Sequence, residues 1–362
     1  MAGAAPRAVI FGLAGPQASD DELRFFRDAD PLGFILFARN CVEPVQVRAL
    51  VETLRGTVGR ADAPVLIDQE GGRVQRLRPP HWRAAPPAAV FGALCGDESD
   101  DDSGDDIDDD SRGRSRAAVE ACYLNARLLG CELSALGISV DCAPMLDVRQ
   151  PFGHDIIGDR AFAFDPQTVA LLGRATCSGL LAEGVLPVIK HIPGHGRATL
   201  DSHLALPVVD APLADLERVD FAPFAALAHH APMAMTAHVV YSAIDPLAPA
   251  STSRAVVERA IRGAIGFDGL LISDDLCMRA LAGTPVERAA AVLAAGCDVA
   301  LHCNGELPEM RAVADACPPL TAMAQERIAR AEVLRRAPIA APLDRPEAER
   351  RLAVLLGAAA VA

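Results

Sequence analysis

Lysine is nearly absent from this 362-residue sequence, in which 33 of the 34 basic side chains are arginine and Lys190 is the only lysine. The basic residues form no run and no stripe along a predicted helix, which argues against binding to nucleic acid. An ammonium group is a compact point charge, whereas a guanidinium is a broad planar fork. The single lysine therefore suggests a position where arginine does not serve, and its chance retention is the alternative.

Long apolar runs and paired cysteine motifs are also missing. No stretch reaches about 18 uncharged apolar residues, and Met1 to Arg7 lacks the pattern of a secretory signal, so we expect no membrane span. The ten cysteines contain no Cys-x-x-Cys pair, and Cys142 lies in an apolar run, where a thiol behaves as a small hydrophobe. We interpret them as mostly buried free thiols and expect a cytoplasmic protein.

Aromatic residues are scarce, with one Trp and two Tyr, while Ala, Val and Leu dominate the apolar content. Such a composition favours helices packed on a buried sheet over an aromatic-rich β-sandwich. Eight short apolar runs alternate with longer helix-like segments, which is typical of a parallel sheet covered on both faces. The predicted strands are Ala8–Leu13, Gly33–Phe37, Pro64–Ile67, Ser139–Met145, Leu186–Ile189, Pro232–Met235, Gly269–Ile272 and Val299–Leu301.

The order of these elements predicts the fold. Helices are expected at Glu43–Gly56, Asp165–Glu183, Leu213–His229, Arg254–Ile265 and Pro285–Ala295. Eight strand–helix units in roughly 300 residues indicate an α/β protein with a single (β/α)8 TIM-type barrel. A doubly wound open sheet is the alternative, but Gly12-Leu-Ala-Gly15 is a poor match to the phosphate loop expected after its first strand.

One acidic segment interrupts this alternation. Ten of the residues from Asp97 to Asp110 are acidic, so the remainder of the chain carries only −4 of the net charge of −14. We predict a disordered insertion at about residues 97–116, within a barrel domain that spans 1–340 and precedes a C-terminal helical extension at 341–362. A solvated loop without catalytic role is the simplest interpretation. A cation-binding or interaction role is the alternative, although the spacing lacks the Gly and terminal Glu of an EF-hand loop.

Charged and polar side chains follow five of the predicted strands where each strand ends. Because active sites of such barrels lie at the carboxyl ends of the strands, this pattern indicates a polar pocket. The residues concerned are Asp68, Arg76, Asp147, Arg160, Lys190, His191, His238, Asp274 and Asp275.

The most specific motif is the loop Lys190-His-Ile-Pro-Gly-His-Gly-Arg-Ala-Thr-Leu-Asp-Ser-His203. One interpretation is an acid–base dyad, in which Asp201 orients His203 and stabilises its imidazolium. A metal site and a purely structural polar loop are the alternatives, although Pro193, Gly194 and Gly196 do not give the helical i, i+4 spacing common among metal-binding histidines. The two glycines would allow the loop to close over a ligand.

A second motif, Gly266-Phe-Asp-Gly-Leu-Leu-Ile-Ser-Asp-Asp-Leu-Cys-Met278, places a carboxylate at the end of an apolar strand. A rigid strand suits a nucleophile, because the attacking atom must be held in place. Neighbouring residues of a strand face opposite ways, so we expect only one of Asp274 and Asp275 to point into the pocket.

Together these motifs resemble glycoside hydrolase family 3, in particular its bacterial single-domain β-N-acetylhexosaminidase branch. The resemblance runs from about Val9 to Val313, with Ile192 where the family usually has Phe. It implies a retaining exo-β-N-acetylglucosaminidase with Asp274 as nucleophile and His203, paired with Asp201, as acid/base. It also implies that the terminal sugar is held by Asp68, Arg76, Arg160, Lys190 and His191.

The resemblance further implies a setting in the bacterial cytoplasm, where N-acetylglucosaminyl-1,6-anhydro-muropeptides from the cell wall would be recycled. It implies no metal or cofactor, no membrane or nucleic-acid partner, and no particular oligomer. A β-N-acetylglucosaminide phosphorylase on the same site is one alternative, because a histidine acid/base repels an incoming phosphate less than a carboxylate does. A non-catalytic sugar-binding barrel and a metal-dependent hydrolase are the others.

Overall fold

A closed eight-stranded parallel barrel forms the centre of the protein in a computed structural model, which describes residues 5–96, 109–337 and 341–358. Each strand pairs with the next along the chain, and the last pairs with the first. The strands are β1 (Arg7–Phe11), β2 (Pro31–Leu36), β3 (Val65–Ile67), β4 (Val140–Asp141), β5 (Leu186–Ile192), β6 (Met233–Thr236), β7 (Leu270–Asp275) and β8 (Val299–His302). The predicted (β/α)8 barrel is therefore confirmed.

All eight predicted strands are present, but three bounds differ in an informative way. β4 has only two regular residues instead of seven, since Pro144 has no amide hydrogen to donate and only an isolated bridge joins Met145 to Lys190 beyond it. β5 and β7 continue past their apolar runs to Ile192 and Asp275. Backbone pairing does not depend on side-chain polarity, so the polar residues at these strand ends remain in the sheet.

Alternate residues of each strand fill two separate apolar layers, as the two-residue period of a strand requires. The inner layer fills the barrel and includes Ile10, Ile35, Leu66, Val188 and Ile272. The outer layer packs against the helices and includes Val9, Phe11, Phe34, Ile67 and Leu271. Because apolar side chains fill the barrel interior, a ligand can bind only at the carboxyl ends of the strands.

Helices surround the barrel between the strands. They are α1 (Asp20–Ala29), α2 (Pro44–Thr57), α3 (Ala88–Ala93), α4 (Asp109–Ala135), α5 (Pro166–Ala182), α6 (Leu213–Asp215), α7 (Ala222–Leu227), α8 (Arg254–Val256), α9 (Pro285–Ala295), α10 (Leu307–Ala316), α11 (Ala322–Arg336) and α12 (Arg345–Ala358). Two predicted helices are irregular, because π-helical turns at Leu216–Asp220 and Val257–Ala264 follow α6 and α8. Pro223 near the start of α7 removes one helical amide donor at the first of these breaks.

The acidic insertion differs from its prediction at one end. Residues 97–108 lie outside the described residues, whereas 109–116, predicted to be disordered, belong to α4. The acidic run of the insertion ends at Asp110. The following Ser-Arg-Gly-Arg-Ser-Arg stretch includes three arginines, which are good helix formers. The helix therefore starts several residues earlier than Ala117.

The C-terminal segment folds onto the barrel as α12, which packs along α4. Leu352 and Leu355 are buried in the helix-facing core, and Arg351 pairs with Glu120 of α4 at 2.7 Å. Within the described residues, no helix is both long and apolar enough to cross a bilayer.

Candidate active site

The polar ends of the strands meet at one cavity of about 260 Å³ at the carboxyl end of the barrel. Seven of the eight predicted site residues line it: Asp68, Arg76, Arg160, Lys190, His191, His203 and Asp274. Asp201 does not line the cavity but holds one of the residues that do. This cavity is at the small end of the range for ligand pockets, which suits a single sugar unit better than a long chain.

A network of buried charges forms one wall of the cavity. The Nζ atom of Lys190 lies 2.8 Å from Asp68 Oδ1 and 2.7 Å from Glu70 Oε1. Arg160 binds Glu70 through both Nε and Nη2, at 2.9 and 2.8 Å. Arg76 Nη2 donates to the other oxygen of Asp68 at 3.0 Å. Three cations thus share two carboxylates, which fixes the cations and leaves the cluster with net positive charge toward the cavity.

This network explains the single lysine. The Lys190 side chain is only 2 % exposed and lies between two carboxylates, both from the segment that follows β3. A compact ammonium can donate to both, whereas a planar guanidinium would need more room and a coplanar pair of acceptors. Burial alone would lower the pKa of Lys190, but the charges of Asp68 and Glu70 outweigh it and raise that pKa.

Glu70 was missed by the sequence analysis, although it belongs to the polar segment after β3. Its pKa falls to about 2, because Arg160 and Lys190 outweigh the opposing effect of burial. Asp141 at the end of β4 was also missed. Its Oδ1 accepts from the Gln69 amide at 3.0 Å, and burial raises its pKa well above the ordinary value. Asp141 thereby fixes the turn that presents Asp68 and Glu70, and no local pattern distinguishes it from an ordinary strand residue.

Replacing Glu70 by Gln is expected to destabilise the protein by about 3 kcal/mol, because it leaves Lys190 and Arg160 with one carboxylate fewer in a buried network. Urea unfolding measures this loss, and Glu43→Gln at an exposed position is the matched control. Substrate KM should also rise, since Arg160 loses its bidentate partner. Unchanged stability and KM in Glu70→Gln would contradict the structural importance of the network.

Acid should destabilise the protein through the same groups. The pKa of Glu70 lies at about 2 in the folded protein, and that of Asp68 is lowered by Lys190 and Arg76 against the effect of burial. A carboxylate with a lowered pKa stabilises the fold above its unfolded pKa, near 4, and loses this contribution as the pH falls toward the folded value. We expect Glu70 alone to account for about 2 kcal/mol of lost stability between pH 6 and pH 3. Urea titrations at the two pH values should show a smaller difference for Glu70→Gln than for the natural protein.

A second buried carboxylate, Asp147, orients two histidines. Its Oδ2 lies 2.7 Å from His191 Nδ1, and its Oδ1 accepts from the His195 amide at 2.6 Å. Burial would raise the pKa of Asp147, but the charge and hydrogen bonds of His191 lower it. The ionised carboxylate therefore accepts a hydrogen bond from His191 Nδ1. His191 therefore presents Nε2 to a ligand in the cavity. Asp147 was recognised as polar but was not predicted as a site residue.

The two neighbouring aspartates after Ser273 have different environments. Asp274 lines the cavity, and among the described residues only the Asp275 amide donates to its carboxylate, at 2.8 Å. Asp275 also lines the cavity, but its Oδ1 accepts from the amides of Cys277 and Cys303 at 3.0 and 3.2 Å. The Asp275 carboxylate thus binds backbone amides, whereas Asp274 Oδ2 remains available to react with a ligand.

The pKa of Asp274 lies below its ordinary value. Burial alone would raise its pKa, but the nearby His238 and His191 lower it. His238 is fully buried between Ser251 Oγ at 2.7 Å and the Asp275 carbonyl at 3.0 Å. Because a carbonyl only accepts, Nε2 of His238 carries the hydrogen and Nδ1 accepts from Ser251. Asp274 is therefore an ionised carboxylate held at the end of a rigid strand.

The predicted dyad is present in the loop after β5. Asp201 Oδ1 accepts from the backbone amide of His203 and lies 2.8 Å from its Nδ1. These bonds to His203 lower the pKa of Asp201 despite its partial burial. The orientation leaves His203 Nε2 facing outward from Asp201, and the imidazole is 60 % exposed at the mouth of the cavity. Such a group can give a proton to, and take a proton from, a bound ligand.

His195, for which the sequence predicted no catalytic or binding role, contacts the residue between the two members of this dyad. Its Nε2 lies 3.2 Å from the hydroxyl of Ser202, the residue between Asp201 and His203. Burial lowers the pKa of His195 to about 4, so its imidazole is neutral near pH 7.

The glycines of this loop lie where the backbone packs closely against other parts of the protein. A Cβ atom at Gly196 would lie 1.9 Å from the Val148 carbonyl oxygen, and Gly194 has φ +136° beside Asp220. The Tyr241 hydroxyl donates to the Gly194 carbonyl at 2.6 Å. Residues 192–196 are buried, whereas 203–205 are exposed. The exposed part of the loop is thus the arm that carries the dyad.

The chain matches the family model described as the glycosyl hydrolase family 3 N terminal domain over residues 19–335. It is 40% identical over 303 residues to the β-hexosaminidase of Thiobacillus denitrificans, covering 82% of this chain and 78% of that protein. It is 36% identical to the β-hexosaminidase of Pseudomonas aeruginosa, covering 82% of both chains.

A solved structure shows the same likeness. Neisseria gonorrhoeae NagZ in complex with N-trifluoroacetyl-D-glucosamine superimposes with a TM-score of 0.82 at 30% identity, covering 98% of this chain and 100% of that one. These matches confirm the prediction of a glycoside hydrolase of the β-N-acetylhexosaminidase type. The chain belongs to glycosyl hydrolase family 3.

Proposed function

We propose that this enzyme is a retaining exo-β-N-acetylglucosaminidase that removes a terminal β-linked N-acetylglucosamine. One observation carries the proposal: an ionised strand-end carboxylate lines the same cavity as His203, whose imidazole is held by Asp201. Retaining hydrolysis needs a nucleophile and a separate acid/base on opposite sides of the scissile bond. Asp274 and His203 supply these two groups.

In the first step, an Asp274 oxygen attacks the anomeric carbon while the bond from that carbon to the leaving oxygen breaks. Protonated His203 gives its Nε2 proton to the leaving oxygen, and Asp201 holds Nδ1 throughout. In the second step, neutral His203 takes a proton from water as the water oxygen attacks the anomeric carbon. The ester bond to Asp274 breaks, which restores both groups and releases the sugar with its original configuration.

The charged wall holds the terminal sugar in this proposal. Arg76, Lys190 and Asp68 are fixed by ion pairs with one another, and Arg160 is fixed by its pair with Glu70, so the four offer the sugar a rigid set of partners. His191 Nε2 faces the same space. A small cavity of about 260 Å³ supports removal of single terminal units over internal cleavage.

We further propose that the substrates include N-acetylglucosaminyl-1,6-anhydro-muropeptides of peptidoglycan recycling and that the enzyme acts in the bacterial cytoplasm. Similarity to NagZ supports the substrate class. All ten cysteines lie within the described residues as free thiols, six of them buried, which supports a reducing compartment.

An assay of paired substrates tests the function. We expect rapid release from an aryl β-N-acetylglucosaminide, little from the matching β-glucoside, and a β-configured sugar product by NMR. The same assay with added phosphate distinguishes a hydrolase from a phosphorylase, since only the latter would produce sugar 1-phosphate. Binding without turnover would overturn the proposal in favour of a sugar-binding barrel.

A further inference from the structure

Three potential metal ligands lie together outside the sugar cavity. Cys277 follows β7, His302 ends β8 and Glu309 lies in the first turn of α10, and one donor atom from each lies within 4.8 Å of the others. Within residues 5–96, 109–337 and 341–358, this is the only group of three such side chains. None of the three lines the cavity that holds Asp274 and His203.

His302 is poorly satisfied by protein groups alone. Its side chain is wholly buried, and its Nδ1 has no hydrogen-bond partner within the described part of the chain. Its Nε2 lies 3.4 Å from Glu309 Oε2, which is long for a hydrogen bond between a ring N–H and a carboxylate. The Nε2 side, where this long contact is made, can therefore take a further partner, and Nδ1 stays outside the proposed ligand set.

The same distance suits two ligands of one metal ion. With Zn–N and Zn–O bonds of roughly 2.0–2.2 Å and a tetrahedral angle, the ligating nitrogen and oxygen lie about 3.3–3.6 Å apart. Sulfur, imidazole nitrogen and carboxylate oxygen are together a donor set that zinc prefers and that Mg²⁺ and Ca²⁺ do not.

Neighbouring groups already orient two of the ligands. Asn304 Nδ2 donates to Glu309 Oε2, the oxygen nearest His302, at 2.6 Å. The His302 ring packs edge-on against Phe11 with centroids 5.9 Å apart, which holds the imidazole against the outer wall of the barrel. Such supporting contacts are typical of metal sites, because they fix the direction of the ligand atoms.

We propose that Cys277, His302 and Glu309 bind a Zn²⁺ ion, with water in the fourth position. The ion joins the segment after β7 to β8 and α10. That segment meets the dyad arm, since the amides of Arg279 and Ala280 donate to the carbonyls of His203 and Ser202 at 3.4 and 3.2 Å. A bound ion would thus link three segments of the chain beside the dyad arm.

Calorimetric titration with ZnCl2 tests the proposal on reduced, full-length enzyme that has been stripped with EDTA and desalted. The titration is done in a His203→Ala background, because an imidazole–carboxylate pair is itself a potential zinc ligand set. We expect one Zn²⁺ per chain with a submicromolar Kd, no comparable binding of Mg²⁺, and a rise in Tm of about 3–6 °C at saturating zinc. Binding of Co²⁺ should add a thiolate-to-metal absorption band in the near ultraviolet.

Two variants at partly exposed positions locate the site without disturbing the core. Cys277→Ala and Glu309→Gln should each weaken zinc binding at least 30-fold, and Cys277→Ala should abolish the cobalt band. Cys95→Ala, at another half-buried cysteine, should bind like the parent. Equal zinc affinity in all three variants, or no binding in the His203→Ala parent, would overturn the proposal. These readouts do not depend on hydrolysis, so their outcome is independent of the proposed function.

Discussion

Replacing Asp274 by Gly should reduce turnover on the order of 10⁴-fold or more, on activated and unactivated N-acetylglucosaminides alike. The loss does not depend on the leaving group, because the missing carboxylate supplies the oxygen that attacks the anomeric carbon. The vacated space beside β7 is also expected to admit azide, which would attack in place of Asp274. Recovery of turnover with azide, together with an α-configured glycosyl azide product, identifies the nucleophile by chemistry as well as by loss.

Asp275→Asn is the matched control for this experiment, since the two aspartates are neighbours on one strand. An asparagine oxygen can still accept from the amides of Cys277 and Cys303, so the backbone arrangement survives. We expect a loss of roughly tenfold or less with no effect of azide. The assignment would be reversed if Asp275→Asn were inactive and rescued by azide while Asp274→Gly retained activity.

Replacing His203 by Ala should lower kcat/KM by about 100-fold or more for substrates with alkyl leaving groups, which need protonation as they depart. For a dinitrophenyl leaving group, which departs without protonation, kcat/KM should stay within about tenfold of the natural enzyme. The second step still lacks its base, so rapid mixing should show a burst of one dinitrophenolate per active site followed by slow turnover. This split arises because His203 acts on the leaving group and on water but not on the anomeric carbon.

Asp201→Asn tests the partner in the dyad. Asn can orient the imidazole through one hydrogen bond but does not stabilise its positive charge. Asp201→Asn should therefore lower kcat/KM for the same substrates as His203→Ala, but by a smaller factor. His229→Ala, at an exposed histidine after α7, should change neither substrate class. An equal loss on alkyl and dinitrophenyl substrates in His203→Ala would assign His203 to sugar binding instead of proton transfer.

The barrel was predictable because its signal is repeated. Eight apolar runs separated by amphipathic segments allow few other arrangements, and the predicted Pro285–Ala295 helix has the bounds observed. The errors occur where local pattern and tertiary contact conflict. β4 was overestimated because apolar side chains continue past Pro144, and the broken helices near Pro223 and Val257 keep an amphipathic pattern through their π-helical turns.

The site was predictable where residues cluster in the chain and less so where they meet only in space. Asp201 and His203 are two residues apart, and Asp274 ends a recognisable strand. Glu70 and Asp141 act through partners that are distant in the chain, so neither the polar segment around Glu70 nor the apolar strand around Asp141 reveals those roles. The packing role of Gly196 likewise depends on a distant carbonyl at Val148. Such roles require the folded arrangement.

Lys190 has a practical consequence for following the folding of this enzyme. Its ammonium is enclosed by Asp68 and Glu70, and it is the only lysine of the chain. A lysine-specific protease therefore has one cleavage site, which becomes accessible only when the barrel opens. Amine-directed dyes should likewise leave every side chain of the native enzyme unlabelled and report on unfolding through one residue, without any engineered probe.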